Sequence, residues 1–248
     1  MMGKLQSGVA RREYGAQVDI DAPARLASLG ITVPDLEMLG PQGFPGFESE
    51  GEEALNWWRR LRAAATAAGW WPLLLDHDAT ALDGCEPAGG GEFPPIDDPI
   101  PDVVAKELER WPEPAAGGAR GYGFHLPFER WTQEPKPVMV VLLPTAHGWE
   151  VPRLIGYGGW NRCPPPDMHA AILKRWHNKH GADLVCLTRT GLELGLARPP
   201  RTREEALSLA WDYASYCYDG VDAIYQADSL AELAAGLIDA GVVYCWWD

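Results

Sequence analysis

The spacing of the hydrophobic residues predicts alternating strands and helices in the second half of the chain. The run 138–143 is continuously apolar and rich in valine, which is typical of a buried strand. Apolar side chains at Met168, Ile172, Leu173 and Trp176 recur at the spacing of one helix face, which predicts a helix over 165–180. The same criteria predict further strands at 151–157, 183–188, 192–197 and 242–247, and further helices at 202–217 and 230–240.

Capping signals indicate where the predicted helices begin and end. A serine or threonine followed three residues later by glutamate forms a capping box, in which each side chain accepts the other residue's backbone N–H. A glycine after the last helical residue adopts the left-handed conformation that ends many helices. The predicted boxes are Ser49 with Glu52, Thr202 with Glu205 and Ser229 with Glu232, and the predicted terminal glycines are Gly69 and Gly181.

The first half of the chain is acidic and rich in glycine and proline. Residues 1–48 contain only short apolar pieces, so we expect a loosely attached arm with little regular structure. A helix-strand unit is predicted over about 50–76, and Pro72 indicates that one end of its strand lies at a sheet edge or a bulge. The proline-rich segment before residue 136 predicts a boundary between an N-terminal region, 1–135, and an α/β domain, 136–248.

The order of the predicted elements indicates the fold class. It predicts an α/β fold, with α+β as the alternative, in which helices flank a mixed β-sheet. Only a short link separates 138–143 from 151–157, so we expect these two strands to pair antiparallel. We also expect 183–188 and 192–197 to form a hairpin and 242–247 to be buried within the sheet, which the strand at 70–76 could join.

Composition limits the partners and the compartment. A net charge of −14 repels phosphate backbones, so we expect no nucleic-acid partner. No apolar run approaches about 18 residues, and the first residues lack the apolar core of a signal peptide, so we expect a cytoplasmic protein that does not bind a membrane. The five cysteines form no CxxC pair, which predicts reduced thiols. No motif indicates a cofactor.

Two further candidate sites have weak signals. The segment 198–203 is the densest basic stretch, and a solvated loop before a helix explains it more simply than a ligand-binding role. His177 and His180 lie three residues apart on a predicted helix and could bind a metal with His169 or Asp167. Their place near a helix C-terminus, where the dipole favours histidine, explains them without a metal, so we predict none.

The corner between the predicted strand at 151–157 and the following helix is the clearest candidate for chemistry. Gly158 and Gly159 predict a sharp turn that places Trp160 and Cys163 just before a proline-initiated helix. A helix dipole lowers the pKa of a nearby thiol, so Cys163 is a candidate nucleophile. The alternative is a buried cysteine that fixes the turn.

A nucleophilic cysteine also needs groups that position its substrate and accept its proton. Asn161 could orient the substrate or stabilise an oxyanion, and His177 or His169 could act as the base. Cys217 is predicted on the apolar face of its helix, where core packing is its simplest role. If Cys217 approaches Cys163, however, the two thiols could form a redox pair.

A second set of residues indicates binding rather than catalysis. Asp219 and Asp222 follow a predicted helix and could bind a cation, or they could be solvated turn residues. Trp246 and Trp247 point to opposite faces of their predicted strand, so at least one could line a pocket or a contact surface. The alternative is a strand that is covered on both faces.

Three short segments resemble an uncharacterised bacterial family defined by a C-terminal domain of unknown function, DUF4253. They are 158–164 (GGWNRCP), 216–219 (YCYD) followed by Asp222, and 244–248 (YCWWD). The resemblance covers about residues 137–248. In the family pattern a proline follows the second cysteine, whereas Tyr218 takes its place here. The resemblance implies a compact α/β domain and no particular activity.

The sequence therefore leaves two functional hypotheses. The first is a non-catalytic binding or interaction protein, of an immunity or regulatory type, whose partner is an unknown protein or small molecule. Its binding site would contain Gly158, Gly159, Trp160, Asn161, Cys217, Asp219, Asp222, Trp246 and Trp247. The alternative is an enzyme that uses Cys163, with Asn161 and His177, on a small-molecule or peptide substrate.

Overall fold

A computed structural model describes residues 22–83, 97–112 and 123–248, and it contains seven strands with helices packed on both faces of their sheet. The strands are β1 Glu37–Leu39, β2 Phe44–Glu50, β3 Trp71–Asp76, β4 Pro137–Leu143, β5 Ala182–Leu187, β6 Gly191–Leu196 and β7 Val242–Trp246. The α-helices are α1 Ala22–Ser28, α2 Gly51–Ala68, α3 Pro101–Glu109, α4 Val151–Ile155, α5 Pro166–His180, α6 Arg203–Tyr216, α7 Tyr218–Gly220 and α8 Leu230–Leu237. Residues 1–21 of the predicted arm and Cys85 lie outside the described residues.

The strands form one mixed sheet in the order β1-β2-β4-β3-β5-β6-β7. Within the described residues, β3 and β5 run parallel and every other neighbouring pair is antiparallel. The predicted α/β fold with a mixed sheet is therefore confirmed. The strand at 70–76 lies in the centre of this sheet, between β4 and β5.

The core has two layers because successive side chains of a strand point to opposite faces. Leu73 and Leu75 of β3 pack in a cluster with side chains of α5, α6 and α8. Leu74 points the other way and packs in a second cluster with side chains of α1 and α2. All three leucines are fully buried, and burying one leucine side chain contributes about 2 kcal/mol. Coverage on both faces explains why β4 is apolar throughout and why β3 is apolar up to its last residue, Asp76.

Most local signals of the second half are confirmed. Helix α5 ends at Gly181 in the left-handed conformation, at φ 62°. The Thr202 hydroxyl accepts the Glu205 N–H and the Glu205 carboxylate accepts the Thr202 N–H, which completes the predicted capping box of α6. Strands β5 and β6 form the predicted hairpin.

The predicted strand at 151–157 is wrong. These residues form α4, which has a proline in its first turn and ends at Gly156. The tertiary structure explains the difference, because β4 already pairs with β2 on one side and with β3 on the other. The segment after β4 therefore cannot pair with β4, because both edges of that strand are occupied. It forms a helix instead, and its apolar residues Val151 and Ile155 are buried.

The predicted arm with little regular structure is also wrong for the described residues 22–48, which include α1, β1 and most of β2. In β2, Phe44 and Phe47 are almost fully buried, and the strand pairs antiparallel with β4. Because Ser49 belongs to this strand, α2 begins at Gly51, and no side chain caps its N-terminus. The predicted capping box of Ser49 with Glu52 does not form.

Two further expectations concern where strands lie in the sheet. Pro72 lies in a central strand, but β5 pairs with β3 only at Leu74 and Leu75, so the missing N–H of Pro72 costs no bond to β5. Strand β7 lies at the end of the sheet rather than within it.

Every helix in the described ranges is too short or too polar to cross a lipid bilayer.

A buried carboxylate attaches the segment before β4 to the opposite end of the sheet. Glu193 of β6 is 2% exposed, and its two oxygens accept the backbone N–H groups of His125 at 2.7 Å and Leu126 at 2.9 Å. Burial raises the pKa of Glu193 to about 7, although the two N–H donors oppose this shift. Folding therefore favours the protonated form of this side chain.

We predict that Glu193 makes the protein less stable as the pH rises. Its pKa is higher in the folded state, so its stabilising contribution is complete below about pH 4.5 and is lost as the pH rises through 7. Between pH 5 and pH 8 the wild-type protein should lose about 2 kcal/mol more unfolding free energy than Glu193→Gln, measured by urea denaturation. Glu129→Gln, at an exposed glutamate of the same segment, should keep the wild-type pH dependence. An identical pH dependence in wild type and Glu193→Gln would contradict this prediction.

Candidate functional site

Three segments that are far apart in sequence meet at one end of the molecule. The Asn161 side-chain amide donates to the Asp248 carbonyl at 2.9 Å, and the Arg162 guanidinium lies 3.3 Å from the Asp219 carboxylate. The backbone N–H of Trp246 donates to the Cys217 sulfur at 3.2 Å. The turn before α5, the end of α6 and the end of β7 therefore form one cluster.

The turn before α5 requires glycine at its start. Gly158 has a φ of 107°, and a Cβ atom there would lie 2.1 Å from the Pro164 carbonyl oxygen and 2.7 Å from His169 Nε2. The Gly159 N–H donates to the Pro164 carbonyl at 2.9 Å, and the Cys163 N–H donates to the Trp160 carbonyl at 2.8 Å. These bonds fold the chain back and direct the Cys163 side chain into the core.

Cys163, His169 and Tyr216 form a buried polar chain. Cys163 Sγ lies 3.4 Å from His169 Nε2, and His169 Nδ1 is hydrogen-bonded to the Tyr216 hydroxyl. Cys163 is 4% exposed, His169 is fully buried and Tyr216 is 3% exposed. The nucleophile-base-orienter order of a catalytic triad is thus present in geometry, but it lies inside the core.

The electrostatics keep this chain uncharged. Burial and, to a smaller extent, the nearby Cys217 raise the pKa of Cys163 to about 12, although the Gly159 N–H opposes the shift. Burial lowers the pKa of His169 to about 3. A neutral imidazole that is hydrogen-bonded to the Pro164 carbonyl and, at Nδ1, to the Tyr216 hydroxyl has polar partners without carrying a charge. The geometry therefore favours a thiol beside a neutral imidazole over a thiolate-imidazolium pair.

The expected lowering of the Cys163 pKa by the helix dipole is not found. Cys163 is separated from the first helical residue, Pro166, by two prolines, and the cost of burying a thiolate exceeds any effect of the dipole. His177 is not brought to this thiol either, because it lies eleven residues after Pro166, or about 16 Å along α5. Of the two candidate bases, His169 is the one in contact with Cys163.

His177 belongs to a different group of side chains. Its Nδ1 lies 3.2 Å from the Asp183 carboxylate, which the Arg62 guanidinium also contacts at 2.8 Å. The Trp149 ring lies 4.5 Å from the His177 ring. Sequence reasoning missed Trp149 and Asp183, because only the tertiary structure brings them beside α5.

The other predicted metal ligands also have separate partners. Asp167 accepts a hydrogen bond from Arg153 at 2.7 Å, and His180 is 8% exposed at the opposite end of α5. Across the described ranges, no group of three or more His, Cys, Asp or Glu residues is arranged to hold a metal ion.

Side chains of α6 and its C-terminal cap, rather than another strand, close the outer edge of β7. The Tyr213 hydroxyl donates to the Tyr244 carbonyl at 2.8 Å, and the Cys217 thiol lies 3.2 Å from both the N–H and the carbonyl of Trp246. Gly220 permits this approach, because a Cβ atom there would lie 2.1 Å from the Tyr213 hydroxyl and 2.8 Å from the Cys217 sulfur. Cys217 and Tyr213 thus satisfy backbone groups that an edge strand otherwise exposes.

The hydrogen bonds around Cys217 also distinguish it from Cys163. Burial would raise the pKa of Cys217, but hydrogen bonds from Cys245, Tyr213 and the N–H groups of Trp246 and Gly220 lower it below the ordinary value. The three thiols of Cys163, Cys217 and Cys245 are close enough to shift one another's pKa. All three are free and buried.

The residues of these segments that reach the surface are aromatic, acidic or amide side chains, together with Arg162, whose side chain is 72% exposed. Tyr218 is 63% exposed, Asp222 is exposed, and Trp160 and Trp246 are half-buried. Trp247 is instead 1% exposed and packs its ring 5.2 Å from that of His169. We call Trp160, Asn161, Tyr218, Asp222 and Trp246 the terminal patch.

Comparison with known protein families agrees with the resemblance seen in these segments. Residues 139–248 match the family described as domain of unknown function DUF4253. No curated protein and no solved structure matches the chain. The DUF4253 match begins within β4 and includes β5, β6 and β7, but it excludes β3, which lies between β4 and β5. The strands of the matched residues therefore form a continuous sheet only together with β3, from the N-terminal part of the chain.

We predict that Cys163 behaves as a buried thiol with a high pKa. Peptide mass spectrometry after iodoacetamide labelling of native protein should show slow modification at neutral pH, because the raised pKa leaves little thiolate. The same cysteine should react at the ordinary rate in denaturant, which serves as the control. Rapid labelling confined to Cys163, with an apparent pKa well below about 8.5, would contradict the structural assignment.

We also predict that Cys217 stabilises the protein through its hydrogen bonds. Cys217→Ala and Cys186→Ala each remove a thiol from a fully buried site, but the Cys217 thiol also caps the edge of β7. Cys217→Ala should lower the unfolding free energy by about 1 to 2 kcal/mol more than Cys186→Ala, measured by urea denaturation. Cys217→Ser should recover part of the difference, because its hydroxyl can both donate and accept. Equal losses in both alanine variants would show that Cys217 acts by packing alone.

Proposed function

We propose that the protein is a non-catalytic binding protein of an immunity or regulatory type, and that the terminal patch is its contact surface. One observation carries this proposal. Cys163 and His169 are buried and neutral, whereas the terminal patch presents aromatic side chains, an amide and the Asp222 carboxylate. Such a surface suits recognition better than bond breaking.

The chemistry of the patch favours a basic protein partner. Tryptophan and tyrosine are enriched among the residues that contribute most to interfaces, and their rings attract lysine and arginine. Asp222 supplies an exposed negative charge within an overall charge of −14, which would steer a basic partner toward this protein. A basic small molecule would satisfy the same groups over a smaller area.

The buried cysteines are compatible with the cytoplasmic location that we propose. The four cysteines in the described part of the chain are free thiols, although Cys163, Cys217 and Cys245 lie close together. A reducing compartment keeps such thiols unpaired.

The alternative function is an enzyme with Cys163 as its nucleophile. The 3.4 Å separation of Cys163 Sγ and His169 Nε2 supports it. Burial of both groups and the raised pKa of Cys163 oppose it. The labelling experiment on Cys163 distinguishes the two functions independently of any partner.

The binding function is tested with a variant that changes two exposed side chains of the patch, Tyr218 and Asp222. Wild-type protein, Tyr218→Ala/Asp222→Asn and Trp131→Ala are used as affinity baits, and recovered proteins are quantified by mass spectrometry. Trp131 is the matched control because it is 86% exposed and lies outside the patch. We expect wild type and Trp131→Ala to recover the same basic protein. In purified form, this partner should bind the patch variant at least about 10-fold more weakly than it binds the wild type.

Two results would contradict this function. One is a partner that binds the patch variant and the wild type equally well. The other is a set of specific partners that are predominantly acidic, because the charge argument would then fail.

A further inference from the structure

A second candidate site lies at the opposite end of α5 from the terminal patch. A cavity of about 530 Å³ opens between the end of α5, the connection from β6 to α6 and the first turns of α6. Its lining contains three cations and one carboxylate, together with a serine hydroxyl: Lys179, His180, Ala197, Arg198, Pro199, Arg201, Glu205 and Ser208. A basic cavity is unexpected in a protein of net charge −14.

Backbone carbonyl groups, rather than an acid, hold the Arg198 guanidinium in place. One of its terminal nitrogens donates to the carbonyl groups of His177 at 3.2 Å and Asn178 at 2.9 Å, at the end of α5. Across the described residues, no carboxylate forms a salt bridge with Arg198. The guanidinium is thus positioned by neutral carbonyl groups, and its remaining N–H groups are available to a ligand.

The acids near the cavity are either exposed or already hydrogen-bonded. Arg201 and Lys179 pair with Asp239 at 3.3 Å and Asp98 at 3.5 Å, but both acids are more than half exposed, where water weakens such pairs. The Glu205 carboxylate accepts the N–H groups of Arg201 and Thr202 as part of the α6 capping box. Burial lowers the pKa of His180, so this ring is neutral near pH 7.

We propose that this cavity binds the phosphate group of a small molecule. An arginine fork matches two phosphate oxygens, and Lys179 and the Ser208 hydroxyl add donors, since Lys179 Nζ lies 3.5 Å from Ser208 Oγ. A volume of about 530 Å³ exceeds that of a phosphate ion, so an organic group attached to it would lie against Ala197 and Pro199. The basic segment 198–203 is then a ligand-binding loop rather than only a solvated one.

The site is tested by thermal unfolding of the full chain in inorganic phosphate and in chloride at equal ionic strength. With a dissociation constant of about 1 mM, 10 mM phosphate should raise the Tm by about 3 °C relative to chloride. Arg198→Ala should abolish this rise, whereas Arg189→Ala should keep it, because Arg189 is exposed and does not line the cavity.

A second variant separates binding from folding, because Arg198 also stabilises the end of α5. Lys179→Gln/Arg201→Gln leaves those carbonyl contacts intact and should weaken phosphate binding at least 10-fold in isothermal titration calorimetry. Phenyl phosphate distinguishes the sources of the phosphate group. Tighter binding than inorganic phosphate indicates an ester whose body fills the cavity, and equal binding indicates inorganic phosphate itself.

Two results would overturn the site. One is equal stabilisation by phosphate and chloride in the wild-type protein. The other is a phosphate effect that persists in both Arg198→Ala and Lys179→Gln/Arg201→Gln. The cavity shares no residue with the terminal patch, so neither result bears on the proposed protein partner.

Discussion

The position of β3 is the constraint on which the rest of the structure depends. It pairs with β4 over its whole length and with β5 at Leu74 and Leu75, so it connects the two halves of the sheet. The residues that match the DUF4253 family supply β5, β6, β7 and most of β4, but not this connecting strand. Strands from both sides of the predicted boundary at residue 136 therefore share one sheet, and the burial of the leucines of β3 depends on both parts.

The far end of the sheet is stabilised by side chains rather than by a further strand. Tyr213 and Cys217 bond to the backbone of β7, and Gly220 allows α7 to approach them. The same arrangement brings Cys217 close to Cys163 and places Tyr216 beside His169. The segments that carry the family resemblance thus have a common structural role, which is to attach the turn before α5 and the end of α6 to the last strand.

Burial divides the polar residues of the molecule into two kinds. Inside the core, His169 and Cys163 are neutral because a charge there would lose its hydration. At the surface, charges are retained and differ between the two ends of α5. The terminal patch is aromatic and acidic, whereas the cavity near Arg198 is basic. The surfaces at the two ends of one helix therefore differ in their chemistry.

Local sequence signals were sufficient for the features that depend on near neighbours along the chain. The apolar spacing of α5, its end at Gly181, the Thr202 box and the hairpin of β5 with β6 involve residues a few positions apart, so local signals were sufficient. The apolar run of β4 was recognisable for the same reason.

Only the tertiary structure decided the features that depend on distant contacts. Residues 151–155 became a helix because β2 and β3 occupy both edges of β4, and β2 formed because β4 offered it a partner. Likewise, the position of Cys163 beside a helix suggested a low pKa, but its burial against residues from α5 and α6 raised it. Pairing and burial join residues that are far apart in the chain, and local sequence patterns do not contain that information.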